Sequence, residues 1–244
     1  MSILAKYAKA KDSKGVFAII KGTRLSGKST LAGTLPGKSI LAQAALLETG
    51  SNSAESLAKK LKNNLTVLEF KTVEELLDIL KEFKGLEGYD NLYIDGITAV
   101  TELKYKEPRI NRKVNGGGNL VWEGFREIAE ATEALIEACK GITETSMKNV
   151  FLTLSLDPKH DASGELVELT PITKGQATLG KLERYGNNTV SIRCRNTDKG
   201  EMVRELLTKN QGPYTARIDS LLDDNNPGVL PADLSKLINI IKGV

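Results

Sequence analysis

The chain has 244 residues, of which 40% are hydrophobic and 27% charged, which is enough to bury the core of one large α/β domain. Its net charge of +3 does not by itself demand a nucleic-acid partner, and a single histidine, His160, argues against His-based triads and His-rich metal centres. Cys139 and Cys194 lie far apart with no histidine at metal-ligand spacing, so both are expected to be reduced, buried thiols. No apolar run approaches the ~18 residues of a membrane span and the Lys-rich start, 1–14, is polar, so neither a span nor a secretion leader is expected and the expected location is cytoplasmic.

In chain order, Val16 to Ile20 is a continuous apolar run of the kind that forms a central parallel strand buried on both faces. A helix is expected from Lys28 to Leu35, stopped by Pro36-Gly37, then a strand at Ser39 to Ala42. Ser53 to Leu61 reads as a helix and Leu65 to Phe70 as a strand. Thr72-Val73-Glu74-Glu75 is a capping box for a helix whose apolar face is Val73, Leu76, Leu77, Leu80 and Phe83. Asn91 to Asp95 is the next strand.

A short helix and a basic loop, Lys104 to Asn119, follow. The longest helix is expected over Val121 to Lys140, with Gly141 as its stop and Trp122 in the core. Val150 to Leu156 is a buried strand, and 157–178 has room for a hairpin. Thr189 to Arg195, Val203 to Thr208 and Tyr214 to Ile218 are short strands separated by turn signals, expected as an antiparallel extension of a mainly parallel sheet. Pro231 starts a last helix after the acidic stretch around Asp223 and Asp224. No internal repeat or linker is visible, so 1–244 reads as a single domain.

The strongest local signal is Gly22-Thr23-Arg24-Leu25-Ser26-Gly27-Lys28-Ser29, a complete GxxxxGK[ST] loop between a strand and a helix. Its glycines let backbone N–H groups turn inward around phosphates, Lys28 can reach the β and γ oxygens, and Ser29 offers a hydroxyl to Mg²⁺. The expected ligand is ATP or another nucleoside triphosphate with Mg²⁺, bound by Gly22 through Ser29 together with Thr30. Asp95 at the end of its strand is the candidate acidic partner of the metal. An aspartate followed by glycine also caps turns.

These features, with Thr34-Leu35-Pro36, the Tyr89-to-Asp95 segment, the Trp122 helix and the run Gly212 to Arg217, resemble the phage RecA-like P-loop nucleotide-binding proteins. That group of AAA-type ATPases includes the Sak-type single-strand annealing proteins. The likeness runs from about Val16 to Leu222, and its specific part is the phosphate loop.

The resemblance implies a RecA-like core, ATP hydrolysis, single-stranded DNA as partner, and assembly into rings or filaments, with a single-strand-binding protein as a further partner. It implies a water-orienting acid near the second strand, for which Gln43 and Glu48 are available, and a γ-phosphate sensor, for which Ser155 and Asp157 are available. Two DNA-facing loops would correspond to Lys104–Asn119 and Asp157–Thr178, with Lys104, Lys106, Arg109, Arg112 and Lys113 contacting phosphates. A solvated loop explains that charge equally well. Arg217 is the candidate cation for the nucleotide of an adjacent subunit, or else a sheet-edge arginine beside Asp219.

Two other functions fit the same loop. A P-loop small-molecule or nucleotide kinase would use the basic segment as a lid, and a non-enzymatic scaffold would be gated by nucleotide. A GTPase is disfavoured because Thr208-Lys209-Asn210-Gln211 lacks the acid of a guanine-reading motif.

Overall fold

A computed structural model describes residues 14–45, 64–111, 121–175, 178, 182, 188–219, 221 and 226–243. They form a 10-stranded sheet in the order β10-β8-β7-β1-β5-β4-β2-β3, with β6 paired to β5 and β9 to β7. The strands are β1 (Phe17–Thr23), β2 (Ser39–Ala44), β3 (Leu65–Phe70), β4 (Asn91–Asp95), β5 (Asn149–His160), β6 (Leu166–Pro171), β7 (Asn188–Asn196), β8 (Met202–Leu207), β9 (Arg217–Ile218) and β10 (Val229–Pro231). From β7 through β3 the neighbours run parallel. β6, β8 and β9 are antiparallel to their partners. The protein is thus α/β, with a mostly parallel sheet, flanking helices and antiparallel C-terminal strands.

The helices are α1 (Lys28–Leu31), α2 (Val73–Gly85), α3 (Ile97–Lys106), α4 (Pro108–Asn111), α5 (Trp122–Thr145) and α6 (Leu234–Lys242). Strand alternation divides the core between the two faces of the sheet. On one face Phe17, Ile19, Leu92, Ile94, Val150 and Leu152 pack against α2, α3 and α5. On the other, Ala18, Ile20, Tyr93, Phe151, Ile192 and Leu206 meet α1 and α6. Half of the capping box forms as expected, with Thr72 Oγ1 accepting from Glu75 N at 3.1 Å, while the Glu75 carboxylate accepts from Lys71 N, one residue before the cap, at 2.6 Å.

Several expected boundaries move, each for a tertiary reason. α5 runs through Gly141 to Thr145, because Ile142 and Thr143 continue its buried face and that burial outweighs the ~1 kcal/mol helix cost of a glycine. Trp122 opens the helix exposed at 69%, with the Arg126 guanidinium 5.2 Å from its ring centroid, rather than packing in the core. β7 belongs to the parallel sheet beside β1, and the antiparallel extension starts only at β8. Pro231 ends β10, and Asp233 is the cap of α6, accepting from Ser235 N at 2.8 Å. Cys139 is buried, but Cys194 is exposed. The expected helix at 53–61 and Glu48 lie outside the described residues.

Candidate phosphate-binding site

β1 carries Gly22 and Thr23 to the C-terminal edge of the parallel strands, and the loop that follows feeds α1 at Lys28. The turn requires left-handed backbone at Leu25 (φ 62°) and Gly27 (φ 95°). At Leu25, whose side chain is 87% exposed, that conformation costs about 1–2 kcal/mol, so the loop geometry overrides local preference there. Gly22 is needed for space: a Cβ would stand 2.3 Å from Ile192 Cγ2 and 2.6 Å from Ser26 Oγ.

Lys28 is 9% exposed, and its Nζ donates to the carbonyls of Gly22 at 2.9 Å and Thr23 at 2.7 Å. Burial pushes its pKa below the usual lysine value; the Asp95 charge opposes this and Arg24 adds to it. The sequence thus folds a cation, at a desolvation cost, into the throat of the loop. That cost falls when an anion arrives.

Asp95 is buried at the end of β4 and gathers three elements. Ser29 of α1 donates its hydroxyl to Oδ2, and Thr153 of β5 donates to Oδ1 at 2.6 Å. Tyr93, two residues back on the same face, donates its hydroxyl to Lys28 O at 2.5 Å and locks α1 onto β4. Burial, with Asp95 nearby, pushes the Tyr93 phenol well above its ordinary pKa, so it stays a neutral donor. Gly96 follows because a Cβ there would stand 2.1 Å from Thr153 Oγ1.

The sequence singled out Lys28, Ser29 and Asp95, and the fold brings them together. It missed Thr153. The available signal was a hydroxyl in the middle of an apolar strand, which must find a partner once buried. Ser155 stands beside Gly22 in the register, with its N–H donating to Thr98 Oγ1, and Asp157 is exposed farther along β5. Neither makes the contact to Asp95 that Thr153 makes. Gln43 is 3% exposed, in register with Asp95 and on the same sheet face. Glu69 of β3 is exposed next to it in the same row.

Hard oxygen donors from Ser29 and Asp95 suit Mg²⁺. Among the described residues no three of His, Cys, Asp and Glu cluster as metal ligands, so phosphate oxygens and water would have to complete the ion's shell.

The basic segment is not the continuous loop expected. Lys104 lies on α3 with a 6% exposed side chain, 2.7 Å from Glu107 Oε1 and 3.4 Å from Glu74 Oε1, so it is committed to intramolecular ion pairs. Lys106 is exposed in the last turn of α3, and Arg109 belongs to α4. Arg112 and Lys113 lie outside the described residues. Of the 157–178 segment, residues 157–171 form the antiparallel β5–β6 ribbon, turning at 161–165, and 176 and 177 lie outside the described residues.

Arg217 is exposed on β9, ion-paired with Asp219. Its strand partner Thr189 is level with Ile19 of β1, so its backbone sits about 13 Å down the strands from Thr23, at ~3.3 Å per residue. It is a sheet-edge residue set back from its own phosphate loop. No helix among the described residues is long and apolar enough to cross a membrane.

The chain matches no protein-family model, and no curated protein matches it.

Proposed function

We propose that the protein binds and hydrolyses ATP with Mg²⁺ on a RecA-like core and acts on single-stranded DNA in phage recombination or replication. The observation that carries the nucleotide half is the convergence of Lys28, Ser29 and Asp95 at the C-terminal ends of β1 and β4, the two parallel strands that flank β5. A turn-capping aspartate would not recruit both the loop serine and a buried threonine from a third element.

In this reading Lys28 exchanges the carbonyls of Gly22 and Thr23 for β and γ oxygens of the nucleotide. Loop N–H groups hold the remaining phosphate charge. Mg²⁺ held by Ser29 and Asp95 would neutralise charge that develops on the transferred phosphoryl group. Thr153 fixes the rotamer of Asp95, and the sheet places Gln43 in the same row, where an amide can orient water but cannot take its proton. Intrinsic turnover is slow if Gln43 fills this place, whereas Glu48, the other candidate, could take the proton. The RecA-like assignment rests on the sequence resemblance, supported by the parallel sheet with antiparallel C-terminal strands.

The DNA half rests on the basic segment without Lys104. Neutralising Arg109, Arg112 and Lys113 together is expected to weaken single-stranded DNA binding and flatten its salt dependence, by about 0.7 in log–log slope for each phosphate that is no longer neutralised. Basal ATPase should persist in that variant. A triple variant with the wild-type salt slope would place the DNA contacts elsewhere.

ATP turnover measured with and without single-stranded DNA tests the whole proposal. Turnover that rises with DNA supports it. Phosphoryl transfer to an added small acceptor would favour a kinase, and tight ATP binding without turnover would favour a nucleotide-gated scaffold.

A further inference from the structure

β8 places consecutive residues on opposite faces of the sheet. Glu205 shares its side with Arg193 and Arg195 of β7, and each guanidinium reaches it at 2.7 Å. Burial pushes the Glu205 carboxyl up, but the two arginines outweigh it and hold the group below its ordinary value. Those two cations are therefore spoken for.

Arg204 points to the other face, which is the face of α1 and the phosphate loop. In register with it, Cys194 sets its Sγ 3.5 Å from Ser26 O. A Cβ on Gly27 would stand 2.7 Å from Arg204 Nε and 2.9 Å from Arg204 Cδ, so the arginine stem lies across the residue that precedes Lys28. Unlike Arg193 and Arg195, Arg204 has no carboxylate partner among the described residues. The same loop also holds an unsatisfied group: Ser26 is 3% exposed and its hydroxyl has no hydrogen-bond partner among the described residues. A guanidinium with no carboxylate partner thus lies over a loop that also holds an unsatisfied buried hydroxyl.

We infer that Arg204, carried by β8 onto Gly27, is a second cation of the nucleotide site, contacting phosphate oxygens of the nucleotide bound by its own chain. This rests on the phosphate-loop reading above. Arg204 thereby ties the β7–β8 pair to nucleotide occupancy, and a planar guanidinium fits two phosphate oxygens at once where an ammonium offers only a point charge. The competing role is purely one of packing, in which the aliphatic stem covers Gly27 and the charge stays in water.

Calorimetric titration of the full chain with MgATP and MgADP separates the two. Arg204→Met keeps a stem over Gly27 and removes the charge. It is expected to weaken both nucleotides about 10- to 100-fold, the usual range for a charge-assisted hydrogen bond. Arg204→Lys should recover only part of the loss, and the thermal midpoint without nucleotide should stay at the wild-type value because the side chain is exposed. Cys194 gives a second readout: nucleotide should slow its alkylation in the wild type more than in Arg204→Met at equal site occupancy, while buried Cys139 stays silent. Wild-type affinity in Arg204→Met, with binding lost in Lys28→Ala, would overturn the inference and leave the phosphate-loop reading standing. A wild-type chain that binds neither nucleotide would overturn both.

Discussion

Replacing Lys28 by Met is expected to lower ATP turnover at least about 10²- to 10³-fold, the usual loss when a preorganised donor to developing oxyanion charge is removed. Stability at neutral pH should stay near the wild-type value, because two effects oppose each other: methionine relieves the desolvation of the buried ammonium, and it removes the hydrogen bonds of Lys28 to the carbonyls of Gly22 and Thr23.

The pH dependence gives an independent check, because burial depresses the Lys28 pKa below its ordinary value of 10.5. Between the depressed folded value and 10.5 the unfolded chain holds a proton that the folded chain has released. Wild-type stability therefore rises with pH across that window, and below it the desolvation cost is fully present. Lys28→Met should lack that rise. Denaturant titrations across the alkaline range, set beside turnover assays, test both halves, and wild-type turnover in the variant would remove the phosphate loop from the mechanism. Asp95→Asn should act differently. An amide keeps one acceptor for Ser29 or Thr153 and loses the negative charge, so nucleotide binding should persist in part while turnover no longer responds to Mg²⁺.

What is legible in the chain is what is local. The phosphate loop needs only its own glycines, Lys28 and Ser29, and the apolar strand before it is a continuous run. Asp95 can be named because it ends such a run, though only the fold shows Ser29 and Thr153 converging on it. Sequence reading fails where a residue's environment is set by distant chain. Lys104 reads as part of a basic loop because a charge run does not reveal that one member turns inward toward Glu107 and Glu74. Trp122 reads as core because large aromatics usually are, yet it sits exposed in the first turn of α5, ahead of the first buried residue of that helix, Gly124. Gly141 reads as a stop because a glycine's helix cost is local while the burial of Ile142 is not. Arg204 gives no sequence signal at all: it is an alternating residue of a short strand, and only the pairing of β8 with β7 carries it across to Gly27.

Arg217→Ala is expected to lower turnover by about 10³ to 10⁵ if its guanidinium stabilises phosphoryl charge as a well-placed finger does. The structure restricts how this can happen. Arg217 is exposed, rests on Asp219, and sits on β9 about 13 Å down the strands from Thr23. It is therefore poorly placed for the nucleotide of its own chain, and a catalytic role requires a second copy that brings its loop to this edge. Mixing decides the question. Arg217→Ala and Lys28→Met proteins, each inactive alone, should regain part of the activity when combined, because some interfaces then join an intact phosphate loop to an intact Arg217. Asp219→Asn is the companion variant: it removes the carboxylate that holds the guanidinium, so activity should stay at or above the wild-type level if Arg217 must leave Asp219 to act. Full activity of Arg217→Ala alone would reduce the pair to a surface ion pair worth at most about 1 kcal/mol. Loss of activity with no rescue on mixing, together with a lowered thermal midpoint, would show that Arg217 supports β9 and its pairing to β7 rather than the chemistry of a neighbour.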